Sequence, residues 1–177
     1  MIEISTTYTK AAFRKFQWFH IARGGIRKVT FIIGLSVIFI VGTATLTRIM
    51  LDGMDSRFEL AFPLLLFILP LVYIFTPQIA TNAAFRKTPA LFDAGLTFCF
   101  HESYFTVITT GIISGTSDIR YEALYRVYQT KNYFYLYIQQ TQSYIIHKAD
   151  IKTGNPEEFS AFLQKVIPAN KYRSYVK

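Results

Sequence analysis

Two long stretches without a charged side chain dominate the hydropathy pattern, Val29 to Thr47 and Leu60 to Ala80, joined by a short charged loop. A helix of roughly 20 apolar residues spans a hydrocarbon core ~30 Å thick, so each run is long enough to cross a bilayer once. Backbone N–H and C=O groups in hydrocarbon find no water, so both runs are predicted to be helices despite their many β-branched residues. A cleaved signal peptide is a poorer reading of the first run. The run is too long, its upstream region is extended, and a second run follows.

Outside these runs the period changes. Ile2 and Ile4 alternate with Glu3 and Ser5, which predicts a short strand over Ile2 to Tyr8. Thr9 is placed to cap a helix running to Ala22, with Phe13, Phe16 and Phe19 or His20 on one face and Lys10, Arg14 and Lys15 elsewhere. Such a helix suits the headgroup region, with Trp18 as an interfacial anchor, or suits packing on a soluble domain through its Phe stripe. The two readings are compatible. In the second run Pro63, Pro70 and Pro77 recur at sevens, either bending the span at a hinge or groove near Thr76 and Gln78, or simply tolerated in lipid.

From Thr88 onward the segments are short and alternating. Phe98 and Phe100 oppose Thr97, Cys99 and His101; Tyr104 to Thr109 follows a turn at Glu102-Ser103; Asp118 to Glu122 and Leu124 to Gln129 come next. Leu124 to Gln129 is expected to pair with Tyr133 to Gln139 across a turn at Lys131-Asn132, and Ser143 to Lys148 extends the meander. The last element is a helix. Asn155 is its predicted N-cap, Pro156 its first residue and Glu158 the second half of a capping box, while Phe159, Phe162, Leu163 and Val166 form a stripe that must be buried. Consecutive strands and one terminal helix make an α+β domain.

Charge adds a direction. The net charge is +8, and residues 1–28 hold Lys10, Arg14, Lys15, Arg23, Arg27 and Lys28 against Glu3 alone. Arg86 and Lys87 follow the second run, whereas the loop from Arg48 to Glu59 sets two Arg against Asp52, Asp55 and Glu59. Short cationic flanks stay on the cytoplasmic side, so both termini are expected in the cytosol. The lone Cys99 forms no internal disulfide and fits a reducing compartment.

Chemistry is sparse. His20, His101 and His147 lie far apart, so no metal motif is expected, and the loop acids lack an EF-hand pattern. Gly111 to Gly115 is neither a nucleophile elbow nor a phosphate loop. No catalytic residue and no cofactor are assigned. Tyr133, Tyr135 and Tyr137 share one strand face and are the candidate partner-binding row, unless they are packed under the N-terminal helix. Residues from Thr88 onward are nearly charge-balanced, so anionic lipid explains the positive excess better than nucleic acid does.

The segments Phe98-Cys99-Phe100-His101-Glu102, Ile119-Arg120-Tyr121, Leu124-Tyr125-Arg126-Val127, Tyr133-Phe134-Tyr135-Leu136-Tyr137 and Ile145-Ile146-His147-Lys148, after a two-span hairpin, resemble the YcxB-like family of bacterial membrane proteins. His147 departs from the family's pattern, where proline is usual. The resemblance implies a cytosolic β-rich domain shaped like bacterial pleckstrin-homology-like (PH-like) domains and brings no catalytic residues. The expectation is a membrane α+β protein: strand and basic helix over 1–28, spans over 29–47 and 60–80, an outer loop over 48–59, and an antiparallel PH-like domain with a terminal helix over 88–177. It would sit in the bacterial inner membrane with anionic headgroups and a protein as partners. Its membrane-interface residues would be Arg14, Lys15, Trp18, Arg23, Arg27, Lys28, Arg86 and Lys87. An immunity or stress protein acting through its spans, or a subunit of a membrane enzyme or transporter, is the alternative.

Overall fold

The chain, a computed structural model, is described at residues 2–23, 25–52, 68, 74–89, 92, 94–112, 114–151 and 154–176, with backbone alone at 25–32 and 52. It divides into two compact units, Met1–Phe16 with Ala84–Lys177, and Gln17–Ala83.

In the first unit, strands β1 (Ile2–Thr7), β2 (Gly95–Phe100), β3 (Tyr104–Thr110) and β4 (Gly115–Arg120) form an antiparallel sheet in the order β1-β2-β3-β4. Ile2 pairs with Phe100 and Thr7 with Gly95, so the chain leaves this sheet after Thr7 and rejoins it beside the same strand. Closing so long an excursion costs only slowly growing loop entropy, and six ladder positions with Ile4 fully buried repay it.

A second sheet holds β5 (Arg126–Gln129), β6 (Tyr133–Tyr137), β7 (Ser143–His147) and β8 (Tyr172–Ser174) in the order β7-β6-β5-β8. The pairing of β5 with β6 is the one expected from the alternation, Arg126 opposite Tyr137 and Gln129 opposite Phe134. The C-terminal tail is more than a basic appendage. As β8 it runs parallel to β5, where the Val127 amide donates to the Lys171 carbonyl and the Tyr175 amide to the Gln129 carbonyl, each at 2.8 Å. Those groups on β5 would otherwise be an unpaired edge.

Helix α1 (Lys10–Ala22) begins at Thr9, whose hydroxyl accepts from the Ala12 amide at 3.1 Å. The C-terminal helix, α3 below, spans Pro156–Val166 and starts on the predicted capping box, with the Glu158 amide donating to Asn155 Oδ1 at 2.7 Å and the Asn155 amide to Glu158 Oε2 at 3.4 Å. Gly154 precedes the cap at φ +85°, a left-handed conformation, and a Cβ there would come within 2.9 Å of Glu158 Oε2. Phe159 then joins the sheets, its ring 4.8 Å from Phe100 of the first and 5.0 Å from Phe134 of the second. Under α3, Ser160 and Tyr172 both donate to Gln129 Oε1, at 2.9 and 2.7 Å, so the buried amide oxygen is satisfied and helix, β5 and β8 are tied together.

The second unit is helical where described. Helix α2 covers Gly25–Asp52, and residues 74–87 are also helical. Within α2, Ile33–Leu51 is long and apolar enough to cross a membrane, with a mean hydropathy of 1.8. It is the one such helix among the described residues. The expected two-helix hairpin is therefore matched at one helix: positions 60–67 and 69–73 of the second run, with Pro63 and Pro70, lie outside the described residues, as does 53–59 of the loop. Pro77 is buried and its carbonyl accepts from the Thr81 hydroxyl at 2.7 Å.

Candidate membrane interface

Helix α1 has two distinct faces. At 100° per residue Lys10, Ala11, Arg14, Lys15 and Trp18 fall on one arc, and all five are exposed. Ala12, Phe13, Phe16, Phe19 and His20 fall on the other, with Ala12 and Phe16 buried. Of the two sequence readings, the packing of the Phe stripe on the β-domain is seen, with the basic arc left exposed.

The apolar face rests on the tyrosine row. Phe16 lies 5.7 Å from the Tyr135 ring and 5.8 Å from Tyr137, and Lys15 Nζ sits 5.4 Å above Tyr133. Tyr133, Tyr135 and Tyr137 retain only 7%, 2% and 0% of their exposure, so the exposed aromatic row considered as a partner site is a packing surface instead. The reason is register. With Phe134 and Leu136 turned into the core, the alternate residues must meet whatever lies above the sheet, and α1 lies there. Burial pushes the Tyr135 hydroxyl well above the ordinary tyrosine range, and burial does the same to Tyr8 and Tyr121.

The other residues expected at a membrane interface fall at helix ends. Arg23 is half-buried just past α1, Arg27 and Lys28 occupy the first turns of α2, and Arg86 and Lys87 are exposed where the helical stretch 74–87 closes. Between these flanks α2 presents apolar side chains outward, with Phe39 62% and Ile40 63% exposed, and only 6% of its apolar window is buried. Three of its threonines bond back onto the helix. Thr43, Thr45 and Thr47 hydroxyls donate to the carbonyls of Phe39, Val41 and Thr43 at 2.8, 2.8 and 2.9 Å, which satisfies the hydroxyl donors at those three positions.

Titratable groups elsewhere form small structural clusters. Asp150 accepts from the Thr6 hydroxyl and lies 3.9 Å from His147 Nδ1, while the His147 ring packs 4.7 Å from Tyr133. These residues line a pocket of about 220 Å3 that also holds Tyr8, whose hydroxyl accepts from the Ile145 amide at 3.4 Å. The cluster ties β1 to β7 and the turn after it. At His147 the backbone has φ −77°, close to the angle proline would impose, so the turn forms without the ring. A wider groove of about 710 Å3 lies where Phe100, His101 and Glu102 meet Phe162 and Lys165 of α3. Cys99 stands opposite Glu3, and burial, then that carboxylate, push its thiol up, which makes it a poor nucleophile. No group of three or more His, Cys, Asp or Glu among the described residues is placed to hold a metal ion.

Sequence reasoning missed the outer surface of β5 and β8. By register, Arg126 and Tyr128 share a face with the tyrosine row, and Arg173 stands beside Tyr128. Arg126 lies over the Tyr125 ring at 5.6 Å, and Tyr128 is 6.1 Å from Tyr175. The signal available beforehand was the alternation of Tyr172, Arg173, Ser174 and Tyr175, readable as a strand.

Neither the curated proteins nor the solved structures compared with this chain include a match. A family model described as YcxB-like protein matches residues 100–163, from the end of β2 to the last turn of α3, so over that segment the chain is similar to the YcxB-like proteins.

Proposed function

We propose that this chain is a bacterial inner-membrane protein that presents a small cytosolic PH-like domain as a non-catalytic binding or regulatory module. The observation that carries this reading is helix α2. Water-facing Phe39, Ile40, Met50 and Leu51 are unfavourable by roughly 1.5–3 kcal/mol each relative to burial, and lipid removes that cost. A core helix of a soluble protein would hide the same window, whereas here 6% of it is buried. The threonine hydroxyls turned onto their own helix and the cations before its first span residue, Arg27 and Lys28, support the same placement. Two four-stranded sheets with a terminal helix support the PH-like description. The uncharged second run supports a second crossing and a short outer loop between the two.

Cysteine accessibility tests the arrangement. In a Cys99→Ser background, Met54→Cys should react with an impermeant maleimide on intact cells, and Gln140→Cys should react only after lysis. The reverse pattern, or extraction of the chain by alkaline carbonate, would refute the proposal.

A further inference from the structure

The strands of the second sheet carry no acid, and Asp150, beside His147, sits at the β7 edge, opposite the β8 edge. Lys10 to Phe16, Arg126–Gln129, Tyr133–Tyr137, Ser143–His147 and Tyr172–Ser174 contain no Asp or Glu, whereas Glu3, Glu102 and Asp118 belong to the first sheet or its turn. Helix α1 covers the β6 row of this face and leaves the β5–β8 side open, where Arg126 and Arg173 are exposed. Beside them Tyr125, whose ring lies 5.6 Å from the Arg126 guanidinium, is 39% exposed and Tyr175 is 56% exposed, while Tyr128, 6.1 Å from Tyr175, is 5% exposed and forms the floor. The Tyr175 amide is pinned to the Gln129 carbonyl at 2.8 Å, so the tail is held at this surface. Cations interleaved with amphipathic rings, on strands that carry no acid, complement a negatively charged bilayer surface, where rings enter the headgroup layer and guanidinium groups meet phosphates.

We infer that the Arg126–Arg173 face, with Tyr125 and Tyr175, is a second membrane contact that docks the β-domain onto anionic phospholipid headgroups. This rests on the proposed membrane location and adds to it the face of the domain that meets the bilayer. Arg14 and Lys15 are exposed on α1, which overlies β6 of the same sheet, and Lys15 Nζ lies 5.4 Å from the Tyr133 ring.

The test uses the full chain reconstituted in vesicles, carrying Trp18→Phe and Tyr175→Trp so that one indole reports on the tail. With about one third phosphatidylglycerol, position 175 should be quenched by brominated acyl chains and shift to the blue, and neither should occur in pure phosphatidylcholine. Arg126→Gln with Arg173→Gln should weaken docking roughly thirtyfold, on the order of 2 kcal/mol for two cations, while Arg126→Lys with Arg173→Lys should retain most of it. Quenching that is absent in anionic vesicles, equal in neutral ones, or unchanged by the Gln pair overturns the inference. Carbonate-resistant incorporation of the same samples separates the two levels. Incorporated protein with an unquenched tail defeats the docking face alone, whereas unincorporated protein defeats the membrane location itself.

Discussion

Replacing Ile40 by Arg discriminates lipid from water around α2. Ile40 lies close to the middle of Ile33–Leu51 and is 63% exposed. If that exposure is to hydrocarbon, the exchange removes a favourable insertion term of about 0.3–0.6 kcal/mol and adds an unfavourable one of about 2.5–3.5 kcal/mol. The total, roughly 3–4 kcal/mol, corresponds to two to three orders of magnitude in the insertion equilibrium. If the exposure is to water, the change falls within about 0.5 kcal/mol, since Arg is at least as good a helix former as Ile. The assay follows the outward labelling of Met54→Cys in the Cys99→Ser background, with and without Ile40→Arg, together with carbonate extraction. Outward labelling should collapse in the Arg variant, and Ile40→Leu should leave it intact. Undiminished labelling and membrane retention in Ile40→Arg would refute the argument, because no helix this dependent on lipid tolerates a central guanidinium at that cost.

Phe16→Ala should cost about 3–5 kcal/mol, because the ring fills the space above Tyr135 and Tyr137; thermal unfolding of the reconstituted protein reads the loss. Asn155→Ala should cost about 1 kcal/mol by removing the α3 cap, and Gly154→Ala about 1–2 kcal/mol through its left-handed backbone, both seen as lower melting temperatures. Tyr8, Tyr121 and Tyr135 have raised folded-state values, so the native state holds their protons more firmly than the unfolded chain does. Their contribution is complete below the ordinary tyrosine value of 10.0 and declines as pH rises past it, so Tyr135→Phe should flatten the alkaline limb of a stability-versus-pH profile. Tyr172→Phe should cost about 1 kcal/mol and loosen β8, visible as faster amide exchange at Tyr175.

Local physics is legible in this sequence wherever a pattern repeats over neighbouring residues. The absence of charge from Val29 to Thr47 specified an apolar helix before any packing was known, because length and solvent leave a long uncharged run few alternatives. Asn155, Pro156 and Glu158 specified the start of α3 through bonds spanning three residues. The alternation of Tyr133 to Tyr137 specified a strand and the two sets of side chains that face opposite ways. What covers each set is a different kind of fact. Tertiary structure decided that α1 lies on the tyrosines, that β1 pairs with a strand more than eighty positions away, and that the basic tail returns as a parallel strand beside β5. Those outcomes depend on which distant surfaces satisfy one another's apolar area and edge hydrogen bonds, and residues far apart along the chain carry no periodic trace of that agreement.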